Sequence, residues 1–119
     1  MRNWARHLSN SLKCSLSGLA ICFRDEVAFR QECLIAIPHF VAIALLPISL
    51  GLKLYLTALW FVLVAIELLN TAIEAVVNLA SPDWHLLAKK AKDCASAAVF
   101  AVLMLGVTSW TLVACSLFS

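Results

Sequence analysis

The chain has 119 residues, 63% of them hydrophobic and 13% charged, with a mean hydropathy of +0.94. Soluble domains carry about 45–50% apolar and about 25% charged residues, so this composition excludes one and points to a bilayer. Three glycines and three prolines exclude collagen-like and low-complexity chains, and a formal charge of +2 is too small to suggest nucleic acid. The length leaves room for a single membrane domain over residues 1–119, with no separate soluble module. Five cysteines, Cys14, Cys22, Cys33, Cys94 and Cys115, form no C-x-x-C pair and have no histidine at metal-ligand spacing. They read as small apolar residues.

In residues 1–24, Trp4, Leu8, Leu12, Leu16, Leu19 and Phe23 fall within an arc of roughly 120° at helical spacing, with Arg2, Arg6, Lys13 and Arg24 opposite. This is the pattern of a helix lying in the membrane surface, or packed against the protein's own spans. Arg6, Asn10, Lys13 and Ser17 interrupt any apolar run, so the segment is not expected to be a cleaved signal peptide. Span one runs from 33 to 52, 20 residues without a formal charge, flawed by Pro38, His39 and Pro47, with a kink or an outer end expected near Pro47. His39 reads as a satisfied packing residue. Gly51-Leu52-Lys53 is expected to make a short turn into span two, residues 54–80. Ser81-Pro82-Asp83 reads as helix punctuation, with Ser81 as N-cap and Pro82 at the first helical position. A loop and helix start over 81–93 then lead to span three, 94–118.

Arg2, Arg6, Lys13, Arg24 and Arg30 precede span one, and Lys89, Lys90 and Lys92 precede span three; only Lys53 lies in the other loop. Eight of nine cations on one side place the N-terminus and the 81–93 segment in the cytoplasm. The expected fold is therefore an all-α membrane protein, an amphipathic surface helix followed by three transmembrane helices.

Span two contains two carboxylates, and each costs about 2.5–3.5 kcal/mol near a helix centre unless it is paired or wetted. Glu67, Asn70, Glu74 and Asn78 fall within about 80° of one another, one polar stripe descending toward the cytoplasmic surface. Glu74 is expected at headgroup level and Glu67 about 10 Å deeper. On the stripe alone, a polar helix interface and an ion or proton pathway are both open. Other charges gather at the same edge: Asp25, Glu26, Arg30 and Glu32 before span one, and Lys89, Lys92 and Asp93 before span three. They are either ordinary snorkelling charges, or oxygen ligands for Mg²⁺ and fixed cations for a polyphosphate. Glycines only at 18, 51 and 106 exclude soluble nucleotide-binding loops.

Three strings, Glu26-Val-Ala-Phe-Arg-Gln-Glu32, Glu67-Leu-Leu-Asn-Thr-Ala-Ile-Glu-Ala-Val-Val77, and Ala88-Lys-Lys-Ala-Lys-Asp93 followed by Ser96-Ala-Ala-Val99, closely resemble the small prokaryotic integral-membrane diacylglycerol kinases. The resemblance covers about residues 10–115, in order and with matching spacing. It implies a homotrimeric helix bundle in the bacterial inner membrane that transfers the γ-phosphate of MgATP to the hydroxyl of diacylglycerol. It also implies that Glu67 is the general base, that Glu26 and Glu74 hold Mg²⁺, and that Asn70 is a polar support. His7, Cys14, Glu26, Glu74, Asp83, Trp84, His85, Lys92 and Asp93 would meet ATP. Phe29, Arg30, Gln31, Glu32, Glu67 and Ser96 would line the lipid groove.

The depth order suits that reaction, because a diacyl lipid carries its hydroxyl just below the headgroups while ATP arrives from water. Asn78 stands where the family usually has Asp, and His7 where the best-known relatives have a basic residue. Phe29-Arg30-Gln31-Glu32 favours diacylglycerol as acceptor, while Ser81–His85 and Leu87–Lys90 look more like the undecaprenol kinases of the same family. A small proton-coupled transporter using Glu67, and a non-enzymatic scaffold, are the readings from other classes.

Overall fold

The computed structural model describes residues 2–119, with side chains from Asn3 onward, so the expected place of Arg2 on the basic face lies outside the described side chains. Four helices follow one another: α1 (Arg2–Asp25), α2 (Val27–Leu45), α3 (Leu50–Ala80) and α4 (Leu86–Phe118), with no strand among the described residues. The last three are long and apolar enough to cross a membrane. At about 1.5 Å per residue they measure about 28, 46 and 50 Å, so α3 and α4 outreach a roughly 30 Å hydrocarbon core.

Glu26 alone separates α1 from α2, in extended backbone at φ −104° and ψ 118°. The free carbonyls at the end of α1 are met from the next helix: the Arg30 guanidinium donates to the oxygens of Phe23 (3.1 Å) and Arg24 (2.6 Å). A cation at a helix C-terminus both satisfies those acceptors and opposes the negative end of the helix dipole. Arg24 pairs with Asp25 on the exposed surface at 2.7 Å, which holds the Asp25 carboxyl below the usual range.

Two turns differ from expectation. Pro47 forces Leu46 into extended backbone (ψ 142°), so α2 ends at Leu45, and Ser49 opens α3 by accepting from the Leu52 amide at 3.2 Å. The turn is thus 46–49, and Gly51-Leu52-Lys53 belongs to the first turns of α3. Lys53 reaches back to the Ala44 carbonyl at 3.4 Å. At the other end the Ser81 amide still bonds to Val77, and its hydroxyl donates to the Asp83 carbonyl, so Ser81 closes α3 instead of opening α4. His85 is the N-cap, its Nδ1 accepting from the Leu87 amide at 3.1 Å. Helix α2 runs unbroken through Pro38, and the outer end expected near Pro47 is where α2 stops.

Few side chains are buried. Ile43, Leu56 and Val113 form a small core packed by Phe40, Ile48, Leu52, Trp110 and Leu117. Leucines, valines and phenylalanines elsewhere on the spans are exposed, as they can be when the solvent is lipid. Between α3 and α4, Tyr55 and Ser109 share a hydrogen bond of 2.8 Å. On α1 the predicted apolar face stays open, Trp4 at 72% and Leu16 at 65% exposure. Only the later part of the helix packs inward, with Gly18 and Cys22 facing Leu68, Thr71 and Ala75 of α3 across a shallow groove.

Candidate active site

Burial along the α3 stripe falls in steps. Glu67 is buried at 5% exposure, Asn70 and Glu74 are half-buried, and Asn78 is exposed. Residues three and four apart share a helix face, so these four side chains form a track about 16 Å long from the helix interior to its open end.

The first turns of α2 stand against the deep end of that track. Glu32, buried at 8% exposure, lies close enough to Glu67 for their charges to interact, and Glu67 is likewise within reach of Glu26 and Glu74. Glu67 is therefore the common neighbour of three other carboxylates, Glu26 at the junction before α2, Glu32 on α2 and Glu74 on α3. Oε2 of Glu32 and Oδ1 of Asn70 are buried without a hydrogen-bond partner among the described residues. Buried polar atoms are normally satisfied, so a concentration of charge and free acceptors at one level of a membrane bundle marks the place that cations or hydroxyl donors can fill. Phe29, in the first turn of α2, is buried at 5% exposure. Arg30 spends its guanidinium on α1, as described, while Gln31 and Ser96 are exposed.

The shallow end of the track opens into a cavity of about 330 Å³ between the end of α3, the 81–85 loop and the start of α4. Asp83, Trp84, His85, Lys92 and Asp93, five of the residues singled out for ATP, line it together with Asn78. Between the two helices the chain is non-helical over 81–85, with His85 in extended backbone. Lys89, read from the sequence with Lys92 as a possible fixed cation for a polyphosphate but not among the residues the family resemblance assigns to ATP, also lines the cavity and forms an ion pair with Asp93. Its i, i+4 spacing to Asp93 was the available signal. Among the described residues Lys92 makes no ion pair, so its ammonium is free to meet an anion.

His7 and Cys14, on the exposed part of α1, do not line this cavity. Cys22, further along α1, is buried against α3; burial pushes its thiol up, a hydrogen bond to Thr71 opposes this, and the charge of Glu26 adds to it.

A deep carboxylate cluster joined by a polar track to a cation-bearing cavity suits transfer of an anionic group to an acceptor within the membrane. Comparison with known proteins agrees. The sequence profile described as prokaryotic diacylglycerol kinase matches residues 13–114. Proteins named diacylglycerol kinase from Pseudomonas aeruginosa and Haemophilus influenzae are each 37% identical, over 88% and 87% of this chain and 85% and 88% of their own lengths. That of Escherichia coli K12 is 33% identical over 81% of this chain and 79% of its own. With matches of this extent, the chain belongs to the prokaryotic diacylglycerol kinase family.

Proposed function

We propose that the protein transfers the γ-phosphate of ATP to the free hydroxyl of diacylglycerol, giving phosphatidic acid and ADP. The observation that carries this reading is the depth order: Glu67 buried in the bundle, Glu74 half-buried one level out, and a water-facing cavity at the end of the same track that holds Lys92, which makes no ion pair among the described residues. In the reaction the lipid oxygen forms a bond to the γ-phosphorus, the bond to the β–γ bridging oxygen breaks, and the hydroxyl proton passes to Glu67. Catalysis of this kind is chiefly positioning and charge neutralisation.

Asp83, Trp84 and His85 receive the base and ribose, and Lys92 neutralises phosphate oxygens, with Lys89 orienting Asp93 beside it. His7 and Cys14 approach the nucleotide from α1. Phe29, Gln31, Glu32 and Ser96 flank the lipid, Arg30 fixes the α1–α2 junction at that level, and Asn70 lends a polar contact beside Glu67. No three of His, Cys, Asp and Glu converge into a dedicated metal cage among the described residues. Mg²⁺ carried in with a nucleotide needs only one or two protein carboxylates, and Glu26 and Glu74, both within charge range of Glu67, fit that need. Bound there, the ion would offset negative charge on the transferring phosphoryl group.

The protein works as a homotrimer in the inner membrane, with its N-terminus and the 81–93 segment in the cytoplasm. Eight of nine cations on that side support the orientation, and closure into a trimer would shield the carboxylate cluster from lipid. The test is transfer of labelled γ-phosphate from MgATP by purified protein in mixed micelles, with diacylglycerol and undecaprenol offered separately. Faster labelling of diacylglycerol is expected. Preference for undecaprenol would move the protein to the other branch of the family, and labelling of neither would refute the kinase reading.

A further inference from the structure

The junction between α1 and α2 carries two adjacent carboxylates, Asp25 and Glu26, and two arginines, Arg24 and Arg30. Asp25 is taken by Arg24 at 2.7 Å. Glu26 and Arg30 are four residues apart, the spacing at which helix side chains pair, yet they form no ion pair among the described residues. Nor is the Glu26 carboxylate spent on its own helix, since it stands at the N-cap of α2 without a side-chain hydrogen bond. The junction thus neutralises one carboxylate and leaves its neighbour open.

The reason is where the Arg30 guanidinium goes. In an unbroken helix the Phe23 and Arg24 carbonyls would accept from the amides of Val27 and Ala28, four residues on. The extended backbone at Glu26 carries those amides into α2, and one nitrogen, Nη1 of Arg30, donates to both carbonyls instead, at 3.1 and 2.6 Å. Arg30 therefore bridges from one side of Glu26 to the other. The Glu26 backbone is held as well, its amide donating to the Cys22 carbonyl at 2.9 Å and its carbonyl accepting from the Arg30 amide at 3.3 Å. Cys22 is buried and faces Thr71 and Ala75 across the α1–α3 groove, so the bridge fixes Glu26 relative to the helix that carries Glu67 and Glu74.

We propose that Arg30 is a positioning residue for Glu26: by bonding across the α1–α2 break it fixes the residue that carries the carboxylate, and, spent on carbonyls, it leaves that carboxylate free for a divalent cation. The proposal rests on the lipid-kinase reading, in which Glu26 and Glu74 hold the Mg²⁺ that arrives with ATP. A dication that keeps most of its ligands from water and phosphate, and takes only one or two from protein carboxylates, depends on each of those being in place and unoccupied. A guanidinium turned onto Glu26 would fill the same oxygens with a competing, bidentate cation. Arg30 accordingly acts on the metal through Glu26, although its motif places it among the residues of the lipid groove.

The experiment measures Mn²⁺ binding by electron paramagnetic resonance, on purified protein in mixed micelles with an ATP analogue whose imido β–γ bridge resists transfer. The wild type is compared with Arg30→Gln, Arg30→Lys, Glu26→Gln and the Glu26→Gln/Arg30→Gln double variant. Phe23 and Arg24 are exposed, so water can satisfy the carbonyls that Arg30→Gln frees and the fold survives. Mn²⁺ affinity should fall several-fold in Arg30→Gln and return toward the wild type in Arg30→Lys, whose single nitrogen can donate to both carbonyls as Nη1 does. In the Glu26→Gln background Arg30→Gln should cost nothing further, because it acts through a ligand already lost. Activity should follow: the half-saturating Mg²⁺ concentration rises in Arg30→Gln, while KM for diacylglycerol at saturating metal is unchanged. Unchanged Mn²⁺ affinity in Arg30→Gln, no recovery in Arg30→Lys, or losses that add in the double variant each overturn the proposal. A raised KM for diacylglycerol with unchanged Mn²⁺ affinity also overturns it and returns Arg30 to the lipid. Failure of the wild type to phosphorylate either lipid would remove the kinase reading, while the Mn²⁺ titrations would still decide the role of Arg30.

Discussion

Replacing Glu67 by glutamine keeps the shape of the side chain and removes its capacity to take a proton. A positioned general base contributes about 10²–10⁴-fold, so kcat for diacylglycerol should fall by that factor, equivalent to about 3–5 kcal/mol of transition-state stabilisation. The Michaelis constant for MgATP should be preserved, because Asn78 at the lip of the nucleotide cavity lies about 16 Å away along α3. Stability should rise rather than fall. Glu67 is buried within charge range of Glu26, Glu74 and Glu32, so removing one like charge relieves repulsion and lightens the burden of holding a carboxylate inside the membrane. Labelled-phosphate transfer at saturating lipid and ATP gives the kinetics, and thermal unfolding in detergent gives the stability. Retention of more than about a tenth of the wild-type kcat would refute the base assignment. A parallel rise in the MgATP constant would show that Glu67 serves the nucleotide instead.

Asn78→Asp adds a carboxylate one turn beyond Glu74 and should lower the half-saturating Mg²⁺ concentration a few-fold in a metal titration of activity; an unchanged titration would show that this position does not touch the metal. Trp110→Phe leaves Nδ1 of the half-buried His39 without its donor and should destabilise the protein by about 1–3 kcal/mol. His39→Leu combined with Trp110→Phe should recover much of that loss in a double-mutant cycle, and simple additivity of the two would contradict the pairing. Exposed Cys14 should react first with a maleimide at neutral pH, while Cys22, its thiol pushed up by burial, should react only as the pH is raised above the ordinary thiol range or after unfolding in strong detergent. Equal rates in the folded protein would show that α1 does not rest on α3.

Much of this protein was legible from local pattern. Hydropathy summed over some twenty residues decides whether a segment belongs in lipid, and helical spacing decides which side chains share a face, so the three long helices, the amphipathic α1 and the Glu67–Asn78 stripe all followed from sequence. Family membership followed too, since its motifs are short strings of fixed spacing. The turns were less legible because caps compete. Ser49 and Ser81 are the same residue type, yet one opens a helix, its hydroxyl accepting from the Leu52 amide, and the other closes one, its amide still bonded to the Val77 carbonyl.

Relations between helices were decided only by packing. Arg30, placed by its motif in the lipid groove, caps α1, because the break at Glu26 brings the free carbonyls of Phe23 and Arg24 within its reach. His39 read as a lone packing residue because its partners, Leu56 and Trp110, lie 17 and 71 residues away. That Glu32 comes within charge range of Glu67, and His39 within reach of Trp60 and Trp110, depends on the rotation of α2 about its own axis. No pattern within a single helix encodes that rotation, since it is set by the side chains of the neighbouring helices.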